Sequence, residues 1–272
     1  MKKRVLFAAT EATPLVEQTE IGYFNGVIPK QIAKEYDTAV ILPFYPSISA
    51  QSVNAKKTNI SFSIPVSDTI KTVTVWKGTI PNSDIPLFLL ANSYFDRDGI
   101  YGNHTGPYPD NSIRFSLFSR AVLEFVNNNH PVDIILSSDW QTALIPVFLK
   151  EQYQNFSHLS NLKTLLSIFD LKNQGIFWLY DLHILNLGWD IFTPEKLEFY
   201  NDLNFLKGGI VYANRIFFPL KSSLDFLQDE NCCHGLHGIL KFHNAKLRAF
   251  PVGENPQEKY SDNLLKILKE ML

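Results

Sequence analysis

Short continuous apolar runs alternate with helical stretches along this chain, and that alternation constrains the fold more than any other feature of the sequence. Val5–Ala9 and Ala39–Leu42 flank a helical stretch near Val27–Lys34, and two further apolar runs follow at Ile134–Leu136 and Thr164–Ile168. Such runs are typical of parallel strands that are buried on both faces and joined by crossover helices. We therefore predict an α/β fold, a single Rossmann-like lobe whose parallel sheet carries helices on both faces.

The remaining elements fit this architecture with one interruption. Three strand-like runs follow one another without a long helix between them, which predicts an antiparallel excursion from the parallel sheet. These runs are Ile60–Val66, Thr72–Trp76 and Ile85–Leu90. Later helices are predicted at Ile113–Val126, Thr142–Lys150 and Asp202–Tyr212, and later strands at Ile216–Phe218 and Leu247–Val252.

The pattern breaks after the last predicted strand, at Pro251, Gly253 and Pro256. We expect one domain over residues 1–253, followed by a linker and a C-terminal helix over residues 254–272. Apolar residues of the second segment recur at helical spacing: Leu264, Leu265, Ile267, Leu268, Met271 and Leu272. An amphipathic helix of this kind needs a partner surface, so we expect it to pack back on the lobe.

Charge and cysteine usage exclude several classes of function. A formal net charge of −2 offers no basic surface for phosphates, so we expect no nucleic-acid partner. No apolar stretch reaches the roughly 18 residues that span a bilayer, so we expect a cytoplasmic protein without a membrane partner. Cys232 and Cys233 are adjacent, which excludes a disulfide framework and does not fit zinc-ligand spacing. We expect no metal and no cofactor.

Two runs of polar and aromatic residues, Tyr94–Gly102 and Asp139–Ala143, are not explained by packing alone, and two further runs, Phe192–Glu195 and Asn204–Ala213, accompany them. Together they resemble the N-terminal lobe of bacterial and plastid glycogen and starch synthases, which use ADP-glucose. The resemblance extends from Met1 to about Gly253. It implies the acceptor half of a two-lobe glycosyltransferase fold, with an α-glucan or maltooligosaccharide as the ligand.

The resemblance also implies a set of site residues at the carboxyl ends of the strands, where α/β sheets bind ligands. The candidate sugar-binding residues are Tyr94, Asp96, Tyr101, Asn103, Asp139, Trp140, Gln141 and Phe169. Asp139 is the candidate catalytic residue, and it could instead, or in addition, cap the helix that begins at Trp140. For Asp96 and Arg97 the alternative is an ion pair that holds their loop shut.

Other family positions are replaced in this chain. The family's phosphate loop is Lys-Thr-Gly-Gly-Leu, and the corresponding residues of this chain are Glu17, Gln18, Thr19, Glu20 and Ile21. The family's aspartate after this loop is replaced by Tyr23, and a later His-Asn pair of the family is replaced by Phe169 and Asp170. A carboxylate about 5 Å from a phosphate charge is unfavourable by roughly 1 kcal/mol in water and about 3 kcal/mol at intermediate dielectric. Alternatively, Glu17 and Glu20 could interact favourably with the positive N-terminal end of the dipole of the following helix. Phenylalanine can stack on a sugar but cannot donate a hydrogen bond.

These replacements, and a chain that is expected to lack the family's donor lobe, indicate a homologue of polysaccharide biosynthesis that does not transfer glucose alone. We expect it to act as a glucan-binding or regulatory lobe. One alternative is the acceptor lobe of a split, active ADP-glucose:(1,4)-α-glucan glucosyltransferase, joined by a donor-lobe partner protein. Another is a non-catalytic scaffold that forms a homodimer. A nicotinamide dehydrogenase is set aside, because the turn Ala9–Pro14 lacks the glycine fingerprint.

Overall fold

The computed structural model describes residues 2–252 and 255–272. The strands are β1 Arg4–Ala8, β2 Asp37–Pro43, β3 Lys56–Val66, β4 Thr69–Thr79, β5 Pro86–Ala91, β6 Gly102–Asn103, β7 Gly106–Pro107, β8 Ile134–Ser138, β9 Lys163–Ser167, β10 Ile176–Trp178, β11 Glu198–Phe199, β12 Asp202–Asn204, β13 Arg215–Phe217 and β14 Leu247–Arg248. The α-helices are α1 Glu20–Ile32, α2 Asn111–Asn128, α3 Asp139–Thr142, α4 Leu144–Glu151, α5 Phe205–Tyr212, α6 His237–Phe242 and α7 Tyr260–Met271.

A nine-stranded sheet in the order β14-β13-β9-β8-β1-β2-β5-β4-β3 forms the centre of the molecule. The seven strands from β14 to β5 are parallel, whereas β4 pairs antiparallel with both β5 and β3. The predicted α/β class is confirmed, and so is the antiparallel excursion.

The direction of each crossover decides which face of the sheet its helix covers, because such crossovers are right-handed. The step from β1 to β2 runs one way and carries α1, whereas the steps from β5 to β8, β9 and β13 run the other way and carry α2, α4 and α5. The contacts agree: α2 packs on α4 and α4 on α5, while α1 packs on α7. The sheet is therefore covered on both faces.

The helix α7 lies beside α1 and covers the part of that face that no crossover helix reaches. Its apolar stripe is buried, and the side chains that form it are Tyr260, Leu264, Ile267, Leu268 and Met271. Surface ion pairs flank the stripe, with Lys269 bound to Glu35 at 3.0 Å and Glu270 to Arg248 at 2.7 Å. The predicted domain boundary at residues 253 and 254 lies outside the described residues.

Three predicted elements have different bounds in the structure. The helix expected near Val27–Lys34 begins earlier, at Glu20. Two glycines in its first half weaken the helical pattern of the sequence, but they are needed for close packing. A Cβ on Gly26, for example, would lie 2.2 Å from the carbonyl oxygen of Thr13. The helix expected from Asp202 begins at Phe205, because β12 pairs with β10 first. The last strand is only two residues long, since its single neighbour β13 is short.

None of the helices among residues 2–252 and 255–272 is both long enough and apolar enough to cross a bilayer.

Candidate functional site

A cleft of about 510 Å³ opens at the carboxyl ends of β1 and β8, where the winding of the sheet reverses direction. This edge is where open α/β sheets bind ligands. Its lining residues are Thr19, Glu20, Ile21, Tyr101, Gly102, Asn103, Gly106, Pro107, Asn111, Asp139, Trp140, Gln141, Phe169, Asp170, Asn173 and Leu220. Within this lining, three acidic residues are present, Glu20, Asp139 and Asp170, and no lysine or arginine.

Glu11 organises the loop between β1 and α1 from a fully buried position. Its carboxylate accepts the backbone amides of Gln18 and Thr19 at 2.6 and 2.8 Å, and the hydroxyl of Tyr101 at 2.6 Å. Burial, and then the Glu11 charge, raise the pKa of the Tyr101 hydroxyl well above its usual value. Sequence reasoning missed Glu11, although a carboxylate three residues after the end of a buried strand was a signal that could have identified it.

Asp139 forms the floor of the cleft and is 5% exposed. Its Oδ1 atom accepts the amide of Phe169 at 2.7 Å, which ties the end of β8 to the loop after β9. Burial raises the pKa of the Asp139 carboxyl to about 8; the charges of Asp170 and Glu11 add to this, while the two backbone amides oppose it. At neutral pH the carboxyl is therefore mostly protonated and can donate a hydrogen bond to a ligand oxygen.

Trp140 supplies a fixed aromatic wall. Its ring packs edge-on against Phe115 and Phe177, with centroids 5.0 and 5.6 Å away, and lies 6.5 Å from the Tyr101 ring. Gly175 makes room for it: the backbone there is left-handed, with φ of 62°, and a Cβ would lie 2.5 Å from the indole. The wall is thus held in place without a ligand.

Gln141 lines the cleft and carries an unpaired acceptor that is buried behind the cleft surface. The residue is 6% exposed, and its Oε1 atom is buried with no hydrogen-bond partner among the described residues. A buried acceptor without a partner costs about 1–3 kcal/mol, a cost that a ligand hydroxyl group relieves if the side chain turns its oxygen into the cleft.

The structure brings six of the eight predicted sugar-binding residues to this cleft: Tyr101, Asn103, Asp139, Trp140, Gln141 and Phe169. Tyr94 and Asp96 lie elsewhere, with Asp96 on the border of a separate cavity beside Phe44 and Tyr45. The sugar-binding roles of all eight residues stay predictions.

Two alternatives from the sequence are wrong in detail. Arg97 does not pair with Asp96; it makes a two-pronged ion pair with Asp110, at 2.7 and 2.6 Å, which joins the loop to the start of α2. Ser138, not Asp139, occupies the cap position of α3. Asp139 instead uses its carboxylate to hold the neighbouring loop.

Several replaced family positions contact the C-terminal segment. Phe169 packs edge-on against Phe24 at 5.3 Å and Tyr260 at 6.3 Å, and Tyr23 packs against Tyr260 at 6.3 Å. Glu20 opens α1 and accepts a hydrogen bond from the Gln257 side chain at 3.0 Å. The Phe169 ring therefore contributes to an aromatic cluster between the lobe and α7.

The other replaced positions hold their own loops. Glu17 accepts a hydrogen bond from the Thr13 hydroxyl, and Gln18 donates its amide to Glu11. Thr19 caps α1, since its hydroxyl accepts the amide of Ile21 at 3.3 Å. Asp170 accepts the amide of Lys172 at 2.7 Å. No group of three His, Cys, Asp or Glu side chains suited to a metal ion occurs in the described part of the chain.

Comparison with known proteins agrees with this geometry. The family described as "Starch synthase catalytic domain" matches residues 4–242. The chain is 38% identical over 245 residues to the glycogen synthase of Hydrogenobaculum sp. (strain Y04AAS1), covering 88% of this chain and 48% of that protein. It is 34% identical over 250 residues to the glycogen synthase of Geotalea daltonii, covering 90% and 51%. The chain thus spans about half the length of the curated relatives it matches.

Among solved structures, the catalytic domain of starch synthase IV from Arabidopsis thaliana, bound to ADP and acarbose, superimposes with a TM-score of 0.81 at 22% identity. The match covers 92% of this chain and 52% of that one, so the predicted likeness to one half of a two-lobe fold is confirmed. Because the family pattern spans most of the described residues, the chain belongs to the starch synthase catalytic domain family.

Proposed function

We propose that this lobe binds an α-glucan in the Asp139 cleft and does not by itself hold ADP-glucose or transfer glucose from it. The observation that carries the proposal is the composition of the cleft lining, which contains the acidic residues Glu20, Asp170 and Asp139, the last mostly protonated at neutral pH, and no lysine or arginine among the described residues. A neutral polyol loses little in such a site, whereas a diphosphate meets repulsion of about 1–3 kcal/mol from each nearby carboxylate.

The polar groups of the cleft suit sugar hydroxyl groups. The protonated Asp139 carboxyl can donate a hydrogen bond, and Gln141 Oε1 can accept one. The Trp140 ring offers an apolar surface on which the face of a sugar can stack. An apolar wall with a few oriented polar groups is typical of small-molecule sites.

Phe169 supports the loss of autonomous transfer. Its ring packs on Phe24 and Tyr260 and has no donor for a developing charge. A second function, the acceptor lobe of an active enzyme assembled with a donor-lobe partner, is favoured by one observation: Asp139 keeps a carboxyl group at the cleft floor with a pKa of about 8. Acid–base catalysis uses such values.

Isothermal titration with maltoheptaose and, separately, ADP-glucose tests the proposal. We expect saturable heat with maltoheptaose and none with ADP-glucose, because the cleft offers hydrogen bonds but no cation. A β-linked glucose oligomer of the same length is the control ligand and should bind more weakly. Binding of ADP-glucose at comparable affinity would contradict the proposal.

Replacing the unpaired acceptor gives a second test. The Gln141→Met variant keeps the length of the side chain and removes the amide, so we expect maltoheptaose affinity to fall by about 2- to 12-fold, the value of one net hydrogen bond of about 0.5–1.5 kcal/mol. Stability should stay level or rise, because the buried acceptor is gone. Titration and thermal unfolding measure the two effects, with Gln51→Met, on the exposed surface, as the matched control. Unchanged affinity would place the glucan elsewhere.

A further inference from the structure

Three exposed aromatic rings form a connected row on the segment that follows β10, outside the cleft. The row consists of Trp178, Tyr180 and Trp189, whose side chains are 63%, 53% and 59% exposed. The Trp178 and Tyr180 rings lie 4.5 Å apart at 58°, and the Tyr180 and Trp189 rings lie 6.4 Å apart at 85°. Large rings of this kind usually face a partner or the core, so a row left in solvent indicates a binding surface.

The row is built on fixed backbone. Trp178 is on β10, which pairs with β12, and its neighbour Phe177 faces inward against Trp140. Beyond Tyr180, the carbonyl oxygen of Leu185 accepts a hydrogen bond from the buried Arg120. Trp189 packs edge-on against Phe192, with centroids 5.9 Å apart. Rings held in this way lose little conformational freedom on binding, which favours affinity.

The charge of the same segment restricts the ligand. Residues 176–200 contain four carboxylates, on Asp181, Asp190, Glu195 and Glu198, and one lysine, Lys196. The Asp190 side chain is 74% exposed beside Trp189. Such a rim repels phosphates, which disfavours nucleic acids and anionic lipid surfaces. Carboxylates beside exposed ring faces suit a neutral polyol, whose C–H faces stack on rings while its hydroxyl groups donate to the acids.

We propose that the aromatic row is a second glucan-binding surface, which takes an α-glucan chain separately from the Asp139 cleft. The proposal rests on the proposed glucan binding of the lobe and extends it from one site to two. Trp178 directly follows Phe177 in the sequence, and the Phe177 ring packs against Trp140, which lines the cleft. The aromatic row and the Asp139 cleft therefore lie on the same part of the lobe. Two sites on one chain raise the affinity for a long polymer far more than for a short oligomer.

The test uses the whole chain, with maltotriose as the short ligand and glycogen as the long one. The double variant Trp178→Ala and Trp189→Ala is compared with Phe242→Ala, which removes a ring that is 80% exposed and outside the row. We expect two maltotriose sites per chain in the unmodified protein and in Phe242→Ala, and one site in the double variant. Glycogen affinity should fall at least tenfold in the double variant only. Circular dichroism checks that the variants are folded.

The outcomes separate the two proposals. If the double variant keeps the maltotriose stoichiometry and the glycogen affinity, the aromatic row is not a glucan surface, and the cleft proposal stands. If that variant loses all glucan binding, the row is supported and the cleft proposal is overturned. If the unmodified protein binds neither ligand, both are overturned. A change in self-association without a change in glucan binding would assign the row to a protein contact and overturn this inference.

Discussion

A variant that ends at Gln257 should fail to fold cooperatively, because α7 packs beside α1 and buries its apolar face against the lobe. Five of its large side chains are buried: Tyr260, Leu264, Ile267, Leu268 and Met271. At about 1.5–3 kcal/mol for each side chain, their burial stabilises the fold by roughly 10 kcal/mol. That amount is comparable to the total stability of a typical domain, about 5–15 kcal/mol. Circular dichroism and thermal unfolding of the shortened chain measure the effect.

A pair of point variants separates the packing of α7 from the length of the chain. Leu268 is fully buried, whereas Leu272, of the same residue type, is 47% exposed at the end of the helix. Leu268→Ala should cost about 2–5 kcal/mol and lower the melting temperature by roughly 5–15 °C. Leu272→Ala should cost less than about 0.5 kcal/mol. Equal effects, or a chain ending at Gln257 that melts at the normal temperature, would contradict a structural role for α7.

The fold followed from the sequence wherever one physical signal dominated. The buried strands of the parallel sheet are continuous apolar runs, so their positions are correct to within a few residues. Sequence reasoning failed where a local pattern met a tertiary contact. Gly22 and Gly26 weaken the helical pattern at the start of α1, yet they are required because the backbones of Glu17 and Thr13 lie against them. Such contacts link residues whose proximity no local period reveals.

The site was less predictable than the fold. Motif resemblance led to Asp139, Trp140 and Gln141, but it could not reveal that Gln141 keeps an unpaired oxygen or that Asp139 is desolvated. Both properties depend on what surrounds the side chain after folding. Glu11 was missed for the same reason, because its partners Gln18, Thr19 and Tyr101 come together only when the loops close around it.

The desolvated carboxyl of Asp139 should make the stability of the protein depend strongly on pH. Its pKa in the folded chain is about 8, whereas an aspartate in an unfolded chain has a pKa of about 3.9. The folded protein therefore holds a proton that the unfolded chain releases between these values. The stabilisation is fully present below about pH 4 and is lost as pH rises through about 8, at about 1.36 kcal/mol for each unit. The total loss is about 6 kcal/mol.

The variant Asp139→Asn should remove this dependence, because asparagine imitates the protonated acid and its carbonyl oxygen can still accept the Phe169 amide. We expect it to match the unmodified protein near pH 4 and to be more stable by several kcal/mol at pH 8. Urea unfolding at a series of pH values measures the difference, and Asp98→Asn, on an exposed loop, is the control. Parallel pH profiles for the two proteins would mean that Asp139 is ionised in the folded lobe. The cleft floor would then be a permanent anion, able to accept hydrogen bonds from a glucan but not to donate one.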